Sequence, residues 1–219
     1  MMNNQLPPYK LKVNNLQIMR SSREILSDIS FEVNFGEALL LRGANGVGKT
    51  SLLMALAGYL HIGQGLIDWQ KPIKKDDERD VYEDMFFISH LHAMKENLSL
   101  RENLKFWAEV NGSDSAIDDN KIMEALEKAG LAHGADFDAL LLSQGQKKRL
   151  SLARLLVSRK PIWLLDEPTA ALDSEGDKWV ASIIDAHLDA GGLIIAATHL
   201  DLEMKKNKRI KTIILGVDK

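Results

Sequence analysis

Gly43-Ala44-Asn45-Gly46-Val47-Gly48-Lys49-Thr50 follows directly on the unbroken apolar run Ala38-Leu39-Leu40-Leu41. A continuous apolar run of this length predicts a strand covered on both faces. After the glycine stretch, Leu52, Leu53, Leu56, Ala57 and Leu60 recur at helical spacing. The order is therefore strand, glycine loop, helix. In that context the spacing of Gly43, Gly48, Lys49 and Thr50 fits a phosphate-binding loop. Polyphosphate carries dense negative charge, and such a loop meets it with backbone N–H groups and a helix N-terminus. Gly43, Gly46 and Gly48 let the backbone curl close to the phosphates. Lys49 supplies a point charge near the β and γ phosphates, and Thr50 offers a hydroxyl to Mg2+. A glycine-rich turn that merely precedes a helix would not need every one of these positions.

Two further stretches extend the reading. Leu142-Ser143-Gln144-Gly145-Gln146 precedes an apolar-striped helix, with Lys147-Lys148-Arg149 and then Leu152, Leu155 and Leu156. Ser143 and Gln146 satisfy a Ser-x-x-Gln capping box. A cap does not ask for Gly145 between them; a backbone that must approach a phosphate does. Both readings hold together, because the cap builds a helix N-terminus that points at an anion. Ile162-Trp163-Leu164-Leu165-Asp166-Glu167 is an apolar strand ending in two carboxylates. A carboxylate closing an apolar strand is costly without a cationic partner. Mg2+ is the partner expected for Asp166, and Glu167 can orient or deprotonate an attacking water. An ordinary strand end also carries Asp-Glu at times; here it lies downstream of Lys49 in the expected order.

The rest of the chain bounds the possibilities. It has 219 residues, enough for one domain with a subdomain and a real core. Lys and Arg number 28 against 31 Asp and Glu, a net charge of −3, which does not suggest a general nucleic-acid binder. Cysteine is absent, which excludes a disulfide framework and a thiolate metal site. No apolar run approaches the ~20 residues needed to span a bilayer, and Met1 to Pro8 lacks the features of a signal peptide. A membrane role therefore requires docking on another protein.

Alternation over Leu11–Leu16 and Ile29–Phe35 predicts N-terminal antiparallel strands. The mixed charges of Lys74 to Asp80 read as a solvated segment. Met85–Ile88 and Leu193–Ala197 are further buried strands. Residues from about 96 to 132 read as helical, with Leu100, Leu104 and Trp107 on one stripe, Ile122, Leu126 and Leu131 on another, and a turn at Asn111-Gly112-Ser113-Asp114. The expected fold is α/β: a mainly parallel sheet with N-terminal antiparallel strands and an inserted helical subdomain. As one domain over 1–219, its core covers 1–90 and 158–219 and the helical subdomain about 91–157.

In this order the motifs resemble those of the ATP-binding cassette (ABC) ATPases along almost the whole chain. Gly43 to Thr50 resembles the Walker A loop. Leu142 to Gln146 resembles the LSGGQ signature, with Gln144 in place of the first glycine. Ile162 to Glu167 resembles Walker B, Ala171-Leu172-Asp173 the D-loop, and Thr198-His199 the switch histidine. The resemblance implies ATP and Mg2+ as cofactors. Nucleotide contact falls on Gly43, Ala44, Asn45, Gly46, Val47, Gly48, Lys49, Thr50 and Ser51, and from a facing copy on Ser143, Gln144, Gly145, Gln146 and Asp173. Metal contact falls on Thr50 and Asp166, and catalytic roles on Glu167 and His199. It also implies an ATP-bound homodimer, paired head to tail.

Within the family, Gly36 to Gly43, Glu102-Asn103-Leu104-Lys105-Phe106-Trp107 and Trp163 to Asp173 are similar to the ATP-binding subunit of the heme exporter of cytochrome c maturation. That likeness implies integral membrane subunits as partners. It places the protein peripherally, on the cytoplasmic face of the inner membrane, with heme held by other subunits. Two positions depart from the wider family. The aromatic residue that stacks on adenine in many members is replaced by Arg20. A guanidinium plane can also stack on a purine; a solvated arginine is the plain alternative. The glutamine that follows the strand before the helical subdomain is replaced by His90, whose imidazole can contact a metal-bound water or simply pack at a strand end. His90 and His92 lack the companion ligands of a metal site. Lys205-Lys206-Asn207-Lys208-Arg209 reads as a solvated face with marginal charge for lipid. A soluble ABC ATPase of translation or DNA repair would usually carry two cassettes or a long coiled-coil insertion. A small-molecule kinase would need neither the signature loop nor His199.

Overall fold

The computed structural model describes residues 5–71, 80–89, 93–111, 118–198 and 209–216. Five strands form a wholly parallel sheet in the order β5-β6-β7-β3-β8. They are β3 (Ala38–Arg42), β5 (Met85–Ile88), β6 (Ile162–Asp166), β7 (Leu193–Ala197) and β8 (Ile210–Ile214). An antiparallel sheet of three, β2-β1-β4, comprises β1 (Lys10–Arg20), β2 (Arg23–Val33) and β4 (Ile62–Gln70).

The continuous apolar runs form strands buried on both faces, because successive side chains point to opposite sides. Leu39, Leu41, Ile162 and Leu164 pack with Leu52, Leu53 and Leu56 of α1 (Lys49–Leu56) and with the antiparallel sheet through Leu11, Val13 and Ile18. Leu40, Trp163 and Leu165 point the other way, into Val180, Ile183 and Ile184 of α5 (Ser174–Asp189) and Leu152 and Leu155 of α4 (Gln144–Val157).

A third cluster joins α2 (Leu100–Val110), α3 (Asp119–Lys128) and the opposite side of α4, through Leu104, Leu126, Leu150 and Ala153. α4 thus carries two apolar faces, one on the sheet and one on the helices. α2 starts at a capping box between Ser99 and Glu102. Asn103, 1% exposed, accepts from the Lys95 N–H and donates to the carbonyls of Lys95, Leu98 and Ser99, locking the entry to α2.

Several elements differ in extent from the sequence reading. β1 and β2 run on into one hairpin, closed by Ser21 and Ser22 at φ 47° and 63°. Positive φ at both central residues suits the right-handed twist of the strands, but here no Asn or Gly announces it. β2 ends at Val33, two residues before Phe35. β4 and β8 were not anticipated: β4 is largely exposed and interrupted by Gly63 and Gly65, so its alternation is lost. The helical stretch resolves into α2 and α3, shorter than residues 96 to 132. The charged segment Lys74 to Asp80 and the turn at 111–114 lie largely outside the described residues.

Candidate active site

In a parallel sheet the loops after the strands share one edge, and ligands bind there. The glycine loop follows β3, Asp166 ends β6, Ser89 follows β5 and Thr198 follows β7. β7 lies between β3 and β6, so the glycine loop and Asp166 start two strands apart, about 10 Å. The first turn of α1 closes that gap: the Thr50 hydroxyl donates to Asp166 Oδ2 at 3.0 Å. Asp166 is 3% exposed, which explains why its carboxylate takes this partner.

The loop is shaped for an anion. Gly43, Gly46 and Gly48 stand at φ 138°, 80° and 110°, a region that costs a residue with a Cβ. At Gly48 a Cβ would meet Ile25 Cγ2 of β2 at 2.9 Å, whereas at Gly46 it would meet nothing within 4 Å. Gly48 therefore packs the loop against the hairpin, and Gly46 leaves open space above it. Lys49 is 7% exposed, and its ammonium donates to the carbonyls of Gly43 (2.8 Å) and Ala44 (3.2 Å). The charge is held over the loop by the loop itself. Val47 fills in against Gly43 and Gly216. Asn45 and Ser51 belong to the same loop and first helical turn.

Glu167 turns off the end of β6 at φ 47°, with its N–H bound to the Ala197 carbonyl at 2.8 Å. A glutamate in the left-handed region is a strained arrangement that persists only where its surroundings impose it. It is half-buried beside a fully buried Thr198. One neighbour was missed from the sequence. Lys148 of α4 is 2% exposed, and burial pulls its pKa down to about 8 while the charges of Asp166 and Glu167 oppose that fall. It reads in the sequence as the middle of a basic run; only the packing of α4 shows it turned inward.

At the start of α4 the capping box forms as expected: Ser143 Oγ accepts from the Gln146 N–H, and Gln146 Oε1 accepts from the Ser143 N–H. Ser143 and Gln144 are exposed. A Cβ on Gly145 would lie 3.0 Å from the Ala171 carbonyl, so this turn rests on the loop after β6. Asp173 is an N-cap: its carboxylate accepts from the Gly176 N–H at 2.8 Å and pairs with Arg149 at 3.1 Å. The Gly176 bond, then the Arg149 charge, holds its pKa below the usual carboxylate range. Arg20 is exposed at the end of β1, directly before the hairpin turn. His90 and His199 lie outside the described residues, as does most of the basic run at 205–209; Arg209 itself pairs with Asp189 at 2.8 Å.

These residues fit a nucleoside triphosphate with a divalent cation. Among the described residues no three His, Cys, Asp or Glu converge as a metal site. Thr50 and Asp166 alone supply too few oxygens for a hard cation, which suits one whose remaining ligands are phosphate oxygens and water. Among the described residues no helix is long and apolar enough to cross a membrane.

Comparison with known proteins agrees with this geometry. The profile of the family described as ABC transporter matches residues 26–170. The chain is 46% identical over 187 residues to a cytochrome c biogenesis ATP-binding export protein CcmA of Rhodopseudomonas palustris (strain BisB5), covering 85% of this chain and 90% of that one. It is 38% identical over 206 residues to the protein of the same description from Vibrio cholerae, covering 94% and 98%. Among solved structures, a putative ABC transporter (ATP-binding protein) from Pyrococcus furiosus superposes with a TM-score of 0.78 at 26% identity, covering 94% of this chain and 97% of that one. A bacterial Atm1-family ABC exporter with ATP bound shares the fold, with a TM-score of 0.75 at 23% identity over 96% of this chain and 37% of that one.

Proposed function

The chain belongs to the ABC transporter ATP-binding proteins, among the cytochrome c biogenesis export subunits, and from that premise we propose that it is the ATP-hydrolysing subunit of the exporter that serves heme delivery in cytochrome c maturation. It is an ATPase coupled to export, and it works with membrane partner subunits. The observation that carries the catalytic reading is the Thr50–Asp166 hydrogen bond, which joins the phosphate loop to the strand that presents Glu167.

In this reading the loop N–H groups and Lys49 bind the β and γ phosphates, exchanging the Gly43 and Ala44 carbonyls for phosphate oxygens on the ammonium. Thr50 and Asp166 would hold Mg2+, which when bound neutralises charge on the phosphates and fixes their orientation. Glu167, held off the strand end by its bond to Ala197, orients the attacking water and accepts its proton. Ser143, Gln144, Gly145 and Gln146 close on the γ phosphate of a facing copy, the exposure of Ser143 and Gln144 and the α4 N-terminus supporting that role. His199 and His90 sense the γ phosphate. Asp173 acts in the same interface by fixing the start of α5. The chain is one ATPase domain, with core 1–90 and 158–219 and helical subdomain 91–157. The protein docks peripherally on the cytoplasmic side of its membrane subunits, pairs with a second copy when ATP is bound, and leaves heme and nucleic acid to others.

The test is complementation. In a strain lacking this gene, the wild-type chain restores covalent heme attachment to c-type cytochromes and recovers in the membrane fraction with the integral subunits. Lys49→Ala recovers in the same fraction and restores none. Full restoration by Lys49→Ala, or holocytochrome yields unaffected by loss of the gene, overturns the proposal.

A further inference from the structure

A cavity of about 570 Å³ lies at the opposite edge of the sheet from the phosphate loop. Its walls are the last turn of α4, the connection 158–161, the start of β6 and one face of α5, with Lys128 of α3 and Gln5-Leu6 at its rim. The volume is that of a small-molecule site. Nothing in the ATPase mechanism uses it.

Its chemistry is divided. One wall is flat and apolar: Trp163, 4% exposed, stacks on His187 with ring centroids 3.6 Å apart and planes 14° from parallel. Burial holds His187 down at about 4, and its Nε2 is engaged with the Pro161 carbonyl at 3.1 Å. The wall is therefore uncharged at neutral pH. Trp179, Leu155, Leu156 and Ile183 complete the apolar lining. Among the same lining residues, the indole N–H of Trp163, the indole N–H of Trp179 and the hydroxyl of Ser158 are buried and have no hydrogen-bond partner. Buried donors normally find an acceptor, and leaving one unmade is costly. These three donors are sealed behind the lining rather than turned into the open cavity, so an occupant meets the aromatic and aliphatic faces instead.

The mouth is basic. Lys128 pairs with Glu124 at 2.7 Å, and Lys160 donates to the Glu83 carbonyl. Arg159, exposed beside Ser158, makes no ion pair or hydrogen bond with any described residue. An exposed guanidinium at the edge of an apolar cavity, with no acid among the described residues paired to it, complements an anion.

We propose that this cavity binds an amphipathic organic anion, its apolar body against the Trp163–His187 stack and Trp179 and its acidic group at Arg159. The site is independent of the nucleotide. It touches both α3 and the core elements β6 and α5, so an occupant spans the junction between the helical cluster and the sheet.

The full-length protein is titrated with 1-anilinonaphthalene-8-sulfonate, an anionic dye with flat apolar rings, and the bound dye is then displaced with decanoate or with decanol. The dye binds saturably at one site per chain, and decanoate displaces it far better than the uncharged alcohol. Arg159→Glu, an exposed change that leaves the fold intact, weakens dye binding by about tenfold or more, as expected on losing one charge-assisted contact. Ala186→Trp, on the exposed face of α5 that borders the cavity, blocks dye binding while ATP affinity stays at the wild-type value. Wild-type dye binding by Ala186→Trp, equal displacement by decanol and decanoate, or the absence of saturable binding overturns the proposal.

Discussion

Arg154 ties the helices to the sheet, and removing its charge without its bulk measures how. Its guanidinium, on a residue 4% exposed, lies 4.2 Å from the Trp107 ring of α2 and 5.3 Å from the Phe86 ring of β5. It also donates to the Ala93 carbonyl at 3.2 Å, which accepts a second bond from Trp107 Nε1 at 3.1 Å. Two cation–π contacts contribute about 0.5–2 kcal/mol each, and a hydrogen bond from a charged donor about 1.5–3 kcal/mol. Against this stands desolvation. Burial pulls the Arg154 pKa down to about 10, a shift that corresponds to about 3 kcal/mol. The gain exceeds the cost, leaving a net contribution of about 2 kcal/mol. Arg154→Met keeps the stem and should lose about that much in urea unfolding. Arg154→Ala adds a cavity and should lose about 2 kcal/mol more. Because the Ala93 carbonyl keeps Trp107 as a donor, the Met variant should fold normally yet exchange the amides around Ala93 to Ser99 faster than wild type. A loss above about 5 kcal/mol in Arg154→Met, or wild-type amide exchange in that segment, would refute the assignment of Arg154 as a bridge rather than a simple core residue.

Gly145→Asp should keep ATP binding to the monomer within a few-fold and lower hydrolysis at least ~100-fold, since it sets a carboxylate at the helix N-terminus proposed to face the γ phosphate; loss of ATP binding by the isolated chain would show that the loop acts in cis. Arg20→Ala should weaken ATP affinity by about 2- to 30-fold, the range of a cation–π stack at 0.5–2 kcal/mol, and Arg20→Tyr should restore it; equal dissociation constants for all three proteins remove Arg20 from the site. His187 is held at about 4 by burial, below its ordinary 6.5, so the unfolded chain takes up a proton that the fold refuses as pH drops through that window. Its contribution to stability is thus lost on acidification, by about 2 kcal/mol at pH 5. His187→Phe keeps a ring against Trp163 and should lose correspondingly less stability between pH 7 and 5; identical losses in both proteins contradict this.

What was legible in the sequence follows from how local each signal is. Ala38 to Thr50 announces a strand, a loop and a helix, because backbone need and residue type coincide at every position. The capping box at Ser143 and the buried strand ending at Asp166 are equally local. β4 escaped notice because its pairing with β1 comes from a bulged, exposed ribbon: Gly65 at φ 91° lies against the Asn14 and Asn15 carbonyls, and no alternation survives. The Ser21-Ser22 turn carries none of the residues that usually mark it. Lys148 was invisible for a different reason. Whether one lysine in a basic run points inward depends on which face of α4 meets the sheet, and α4 has two apolar faces. Asn103 was visible as part of a family-like stretch, but its role as a lock on residues 95–99 is a matter of three-dimensional contact. The cavity beyond Trp163 has no sequence signature at all, since its lining comes from four separate stretches, at 5–6, at Lys128, at 155–163 and at 179–190.

In the proposed site Asp166 and Glu167 divide the work of metal holding and water activation over a phosphate bound by Gly43 to Thr50. The most direct measurement is single-turnover hydrolysis by Glu167→Gln with ATP and Mg2+, run beside sizing of the same sample. With that division of work, ATP binding stays near wild type, hydrolysis slows by about 10²–10⁴-fold, and a dimer persists while ATP is intact. Hydrolysis at the wild-type rate by a species that stays monomeric would contradict it.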